Sequence, residues 1–268
     1  MGRTGASVLK KLLLIDGDEF IFKACAAVEE EVMWDDQNHV LFSNANKAWK
    51  TLSEMFERIF DRFETKDCVV CFSNEPRTNF RYSVDPTYKN NRAESRKPLC
   101  YKTMRGKVEE NFKWKDFPYL EADDVMGLLS TQPTKSQKII VSQDKDMKTI
   151  PTTVWIGKDL LHISEQEADY WHMFQTLVGD TSDGYRGCPG IGKVKAEKLL
   201  YVAKPEGMEH TYTNAEYSGL MWAAVVKAYE KAGLTEADAL VQARLARILR
   251  WEDWDQETKE PILWKPQA

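Results

Sequence analysis

The sequence has no run of about 18 apolar residues, which excludes a membrane-spanning helix. Its opening, MGRTGASVLKK, has no apolar core of secretory-signal length, and Ala6 stands where an N-myristoylation signal needs Ser or Thr. Residues 1–11 therefore read as a disordered leader. There is no second C-x-x-C to pair with Cys68-Val-Val-Cys71, so a four-cysteine zinc site is excluded. The five cysteines are an odd, scattered set in a chain without a signal, which reads as free thiols in a reducing compartment. The stretch GCPGIGKV (Gly187–Val194) lacks the last residue of a nucleotide P-loop, with Val194 in place of the metal-ligating Ser or Thr. No apolar strand runs into it, so it is not an ATP site. Internal repeats and low-complexity linkers are absent too.

What is present is ordinary for a globular domain: 43% hydrophobic and 29% charged residues, with a net charge of −5. KLLLID (11–16), KDCVVCF (66–72) and KIIVSQD (138–144) are short apolar runs rich in Val, Ile and Leu, and Val154–Ile156 is a further strand candidate. Between them lie helical patterns such as ANKAWKTLSEMFERIFDRF (45–63). Strands alternating with helices predict an α/β fold with a mainly parallel central sheet and flanking helices. A Ser164…Glu167 capping box opens a helix over 164–180, and the last third reads as helices over 219–233 and 237–250.

The charges are unevenly distributed. From Arg77 to Lys107 there are nine Lys and Arg against two acids, net +7. Acids gather instead just beyond the apolar runs: Asp16, then Asp144 and Asp146, with Glu121, Asp123 and Asp124 opening a helix and Asp180 and Asp183 spaced i, i+3. Each pair alone is explained by helix capping or the macrodipole. In an open α/β sheet, however, the carboxyl ends of the strands form the ligand crevice, and these eight acids are expected to converge there. Two unit charges about 4 Å apart repel by roughly 4 kcal/mol at an effective dielectric near 20. All-oxygen donors of this kind call for a hard cation, Mg²⁺ or Mn²⁺, and a pair of them suits phosphodiester hydrolysis. Lys89 and Arg92 then suit the scissile phosphate or a guided strand, and Phe80, Tyr82 and Tyr88 offer stacking faces for bases.

LLLIDGDEF, YKNNR, EADDVMG, SQDKDMKTIP and GDTSDGYRGCPGIGKVKA, in this order, resemble the flap endonuclease/5′→3′ exonuclease superfamily, most of all the stand-alone exonucleases of T-seven-like bacteriophages. DYWHMFQTLVGD and the closing ARILRW…ILWKP share that resemblance, which spans about Leu12 to Pro266. It implies a PIN-like, resolvase-like nuclease domain over 12–165, a helical arch at about 77–113, and a helical DNA clamp of helix–three-turn–helix type over 166–268. The eight acids match the family's metal ligands for two Mg²⁺ or Mn²⁺ ions, and Asp16, Lys89 and Arg92 match catalytic positions. DNA contacts are implied at Arg81, Tyr88, Lys89 and Arg92 and, in the clamp, at Gly187, Gly190, Ile191, Gly192, Lys193 and Lys195, where relatives also hold K⁺.

The implied activity is metal-dependent 5′→3′ hydrolysis of duplex DNA from a 5′ end, flap or nick. It extends to RNA–DNA hybrids and serves phage replication, recombination and host DNA breakdown in the cytoplasm of an infected bacterium. One departure stands out: the family has an Asp after its second strand, where CFSNEPR offers Asn74 with Glu75 beside it. That leaves open a weakened metal site or an inactive nuclease. Two other readings stand beside the main one, a non-catalytic structural DNA-binding protein and a PIN-like ribonuclease.

Overall fold

The structure is a computed structural model that describes residues 10–35, 38–75, 78–92, 95–202 and 213–266. Most of the expected leader, and Arg77 and Glu94 of the basic strip, lie outside the described residues. Strand β1 (Lys11–Asp16) leads into helix α1 (Gly17–Ala26), a hairpin of β2 (Glu29–Asp35) and β3 (Asn38–Ser43), helix α2 (Ala45–Phe63) and strand β4 (Cys68–Cys71). A short helix α3 (Arg81–Val84) and α4 (Tyr101–Asn111) precede β5 (Trp114–Lys115), α5 (Ala122–Thr131) and β6 (Gln137–Val141). Strands β7 (Thr153–Ile156) and β8 (Asp159–His162) close the sheet, and α6 (Glu165–Val178), α7 (Lys193–Val202), α8 (Asn214–Lys231) and α9 (Glu236–Ala246) follow.

The six-stranded sheet runs β5-β4-β1-β6-β7-β8, parallel except for the antiparallel β7–β8 pair. Strand order reverses at β1: β4 lies on one side and β6 on the other, so the carboxyl end of β1 is the switch point where such sheets bind ligands. The LLLI run of β1 has no polar alternation because both faces are covered. Leu13 and Ile15 pack with Phe56 of α2 and Met104 of α4, while Leu14 packs with Val125 of α5 and with Ile248 and Leu249 near the C-terminus.

Helix α2 shows how directly the sequence dictates an element. Asn44 caps it by accepting from the N–H groups of Asn46 and Lys47, and its apolar stripe buries Leu52, Phe56, Ile59, Phe60 and Phe63. A third core forms within α6–α9 around Met173, Leu177, Trp222 and Tyr229.

In the segment expected to form an arch, Tyr101, Met104 and Val108 of α4 fall on one face and pack into the core with α1 and α2. The expected helix at 237–250 ends at Ala246, because the Leu249 N–H turns to Asp124 instead of continuing the helical ladder. The helix expected at 219–233 starts earlier, at Asn214, behind a Thr213–Glu216 capping box. Asp180 and Asp183 lie in a turn closed by an Asp180–Tyr185 bridge, where Asp180 Oδ1 accepts from the N–H groups of Ser182 and Asp183.

Candidate active site

The chain brings acids to the switch point by ending its strands with capping residues. Asp16 closes β1 and caps α1, with Oδ1 accepting the Glu19 N–H at 3.0 Å and Oδ2 accepting the Ser142 hydroxyl at 3.2 Å. Beyond β6, Asp144 caps a single turn over 145–149 by accepting the Asp146 N–H at 2.8 Å. Glu121 and Asp123 stand at the start of α5. Capping and site-building thus coincide at Asp16 and Asp144, each of which caps the element after its strand while lining the cleft.

These groups open on a cleft of about 1660 Å³ whose lining includes Asp16, Asp18, Glu19, Glu121, Asp123 and Asp144 together with Lys89, Arg92, Arg96 and Lys97. Burial, with the charges of Glu19 and Asp18 added, pushes the Asp16 carboxyl up to about 7. Burial and the neighbouring Asp144 do the same to Asp146, again to about 7. Asp123 is raised well above the usual carboxyl range, by burial and then by the charges of Asp16, Asp144 and Glu121. Asp144 is raised by burial, with Asp183, Glu19 and Asp180 contributing. In all four, burial is the largest cause and neighbouring carboxylates add to it, so both oppose ionisation of these acids.

Whether the residues fit a metal follows from this donor set. Among the described residues no three Asp, Glu, His or Cys side chains converge closely enough to enclose an ion unaided. The donors are nevertheless all oxygens, and Asp146 Oδ1 is buried without a hydrogen-bond partner. That combination fits a hard divalent ion that retains several of its waters, as Mg²⁺ does.

The cationic side is held by the turn before Arg92. Lys89 sits at φ +54°, and its ammonium lies 2.6 Å from Glu121 and 3.5 Å from Asp183. Burial works against that charge, but Glu121 and Asp183 outweigh it and raise the Lys89 pKa. In return Lys89 and Arg81 overcome burial at Glu121 and hold its carboxyl below the usual range. Arg92 donates to Asp183 Oδ1 at 2.8 Å and to the Ser182 carbonyl at 2.9 Å while remaining half exposed. The Tyr88 hydroxyl spans Glu121 and Asp183, at 3.0 and 3.1 Å.

Several expected roles are corrected by burial. Arg81, expected to contact DNA, is 2% exposed and bonds both Asp124 oxygens at 2.7 and 2.8 Å. Asp124, expected to bind metal, is fully buried, and its oxygens also accept the N–H groups of Glu121 and Leu249. Tyr88 and Phe80 are buried and present no stacking face, whereas Tyr82 is half-buried and lines the cleft. Gly187 is buried, its N–H is taken by Gln242, and an added Cβ would meet Gly179 N at 2.4 Å, so it packs the loop instead of facing a phosphate.

At the departure from the family pattern, Asn74 lines the cleft and Glu75 does not. Asn74 Nδ2 donates to Asp116 at 3.3 Å, so an Asp at 74 would face a like charge there. Asp18 lies close by, accepting the Ser73 N–H at 2.9 Å and the Tyr101 hydroxyl. Asp18 and Glu19 were missed as site residues, although IDGDEF displays three acids at the end of the first apolar run. Glu19 accepts from the Ser142 hydroxyl and the Gln143 N–H, tying α1 to the loop after β6.

The expected clamp lies between α6 and α7. Gly190 adopts φ +73°, and an added Cβ at Gly190 or Gly192 would meet only open space. Ile191 is half-buried, Lys193 and Lys195 are exposed, and Lys195 donates to the Gly190 carbonyl at 2.8 Å. The loop is therefore open to an approaching anion at the start of α7.

Residues 11–172 match the family model described as the 5′-3′ exonuclease N-terminal resolvase-like domain. An exodeoxyribonuclease of Enterobacteria phage T3 is 31% identical, over 97% of this chain and 94% of the relative. An exonuclease of Escherichia phage T7 is 32% identical, over 96% and 94%. Among solved structures, a flap endonuclease of bacteriophage T5 in complex with DNA and metal ions superposes with a TM-score of 0.55. It covers 88% of this chain and 93% of that one at 14% identity, a likeness of fold.

Proposed function

The chain belongs to the 5′-3′ exonuclease family, and from that premise we propose that the acidic cleft hydrolyses phosphodiester bonds at the 5′ end of duplex DNA. The observation that carries this reading is the meeting, in one cleft, of carboxyls raised by burial and by one another with the cations Lys89 and Arg92. Asp16, Asp123, Asp144 and Asp146, with Asp180 and Asp183 beside them, hold divalent metal, Mg²⁺ or Mn²⁺. Bound there, such ions supply an activated water and neutralise charge on the phosphate. Asn74 contributes an oxygen without a charge, and Asp18 restores a carboxylate beside it.

The chain's own groups do the rest. Lys89 and Arg92 present positive charge to the non-bridging phosphate oxygens, where charge grows as the bond breaks. Tyr88 keeps Glu121 and Asp183 aligned, so the two cations are released towards substrate from a fixed base. The loop at Gly190–Lys193, with Lys195, contacts the backbone of the uncleaved duplex, and K⁺ would share its carbonyls. RNA–DNA hybrids, nicks and flaps fall within the same chemistry, because only the backbone is gripped. The enzyme works in the cytoplasm of an infected bacterial cell, the setting of its phage relatives, in replication, recombination and breakdown of host DNA. No described helix is long and apolar enough to cross a membrane.

A duplex labelled at its 5′ ends tests the reading. Short labelled products are expected with Mg²⁺ and none with chelator. Products shortened from the 3′ end, or cleavage insensitive to chelator, would contradict it, and binding without any cleavage would support the structural-protein reading. Cleavage of single-stranded RNA in preference to duplex DNA would support the ribonuclease reading.

A further inference from the structure

The end of the sheet opposite the acidic cleft carries a second cavity, of about 400 Å³, within the range of small-molecule sites. It opens where β6 and β7 begin and the antiparallel β8 ends, beside the carboxyl end of α5. Five of its lining residues carry hydroxyls, Lys138 and His162 are basic, and no Asp or Glu is among them. In a chain of net charge −5, a lining of that composition admits an anion.

Lys138 is the unusual member. It is only 8% exposed, although lysine is almost never so buried unless it is paired. Its ammonium donates to the carbonyl of Gln132, the residue that caps α5, and no described carboxylate pairs with it. Burial lowers its pKa, and no neighbouring acid raises it again. The helix end supplies the equivalent of about half a negative charge, so about half of the ammonium's charge is left without a counter-ion. Of its three N–H donors, one is engaged by Gln132. Other donors stand around it. Thr153 Oγ1 and His162 Nδ1 lie 2.9 Å apart, which holds the imidazole and leaves Nε2 without a described partner. The hydroxyl of Ser130 is engaged by the Gly127 carbonyl, but those of Thr134, Ser136 and Thr152 bond to no other described residue.

We propose that this cavity binds a phosphate group, carried by inorganic phosphate or by a nucleoside monophosphate. Lys138 supplies the counter-charge, and the hydroxyls and the imidazole supply the directed donors that an oxyanion takes up. A carboxylate offers two oxygens in one plane. A phosphate monoester offers three in a tetrahedral spread, which suits donors arriving separately from the loop after α5, the start of β7 and the end of β8. A nucleoside monophosphate is also the chemical class that the proposed hydrolysis releases, and for that source alone the inference rests on that reading.

Proton NMR of the full chain without divalent metal tests this. The chain has four histidines, and the ring signal lost in His162→Gln identifies His162. Titration with inorganic phosphate is expected to move that signal along a saturable curve with a Kd of about 1 mM. Chloride at matched ionic strength is expected to leave it in place. Lys138→Met, which keeps the apolar stem and removes the charge, is expected to weaken binding at least about tenfold. Thr134→Glu, on the exposed rim, is expected to do the same without touching the core. Deoxyadenosine monophosphate binding more tightly than phosphate identifies a nucleotide as the occupant, and equal constants identify phosphate alone. A His162 signal that stays in place to about 20 mM phosphate overturns the inference. So does a Kd unchanged in Thr134→Glu and in a folded Lys138→Met, which would leave Lys138 as a cap of α5 and nothing more.

Discussion

Replacing Arg81 by Ala is expected to lower the free energy of unfolding by about 3–5 kcal/mol, the usual cost of stripping one partner from a buried ion pair. Asp124, fully buried, would lose both guanidinium bonds. The damage spreads because the same guanidinium donates to the carbonyls of Leu245 and Arg247, at 3.0 and 2.5 Å, where α9 ends. It also stands 3.5 Å from Glu121, so the entrance of α5 loses a support. Lysine cannot make the planar two-pronged contact, so Arg81→Lys recovers only part of the loss. Urea denaturation should show a lower midpoint with an unchanged slope. A wild-type midpoint combined with weakened DNA binding would return Arg81 to the role of a DNA contact.

Asp123→Asn should have the opposite effect on stability while abolishing most of the activity. Asp123 is raised by burial and by the facing charges of Asp16, Asp144 and Glu121, so removing its charge relieves repulsion in the metal-free protein. The melting temperature without divalent ion is expected to rise, and turnover with Mg²⁺ to fall by roughly 10²–10³, the scale of losing one preorganised electrostatic group. Stability gained by blunting a strained site is the expected trade-off where function requires that strain. If the variant cleaves at the wild-type rate, Asp123 is not part of the site. If it is destabilised, its charge is already offset within the protein.

The strands and long helices were legible because periodicity reports burial directly: LLLI is apolar throughout since both faces of β1 are covered. The convergence of Asp16 and Asp144 followed from strand ends and one topological rule. Tertiary partners were not legible. Nothing in FRYSVD distinguishes Arg81, buried on Asp124, from Arg92, half exposed beside Asp183, because the difference lies in a contact more than 160 residues away along the chain. Asp124 looked identical to Asp123 in EADD, yet one helical step turns it from the cleft into the core. The hairpin was overlooked because its strands are not half-buried, so the alternation that marks a strand is missing.

The central claim is that burial and mutual repulsion oppose ionisation of the cleft's carboxyls in the protein alone, and that a divalent cation completes the site. Thermal melting against pH, with and without Mg²⁺, tests it most directly. The carboxyls of Asp16 and Asp146 ionise near 7 in the fold, against 3.8 for an unperturbed group. The folded state therefore binds the extra protons, and the stability they confer is fully present below about pH 4 and lost as pH rises through about 7. The metal-free melting temperature should fall between about pH 5 and 8. Mg²⁺ at about 100 times its Kd should then restore roughly 2.7 kcal/mol at pH 8 and much less at pH 5, where protons already occupy the site. A metal-free profile flat across that range, with no shift on adding Mg²⁺ at pH 8, would contradict the account.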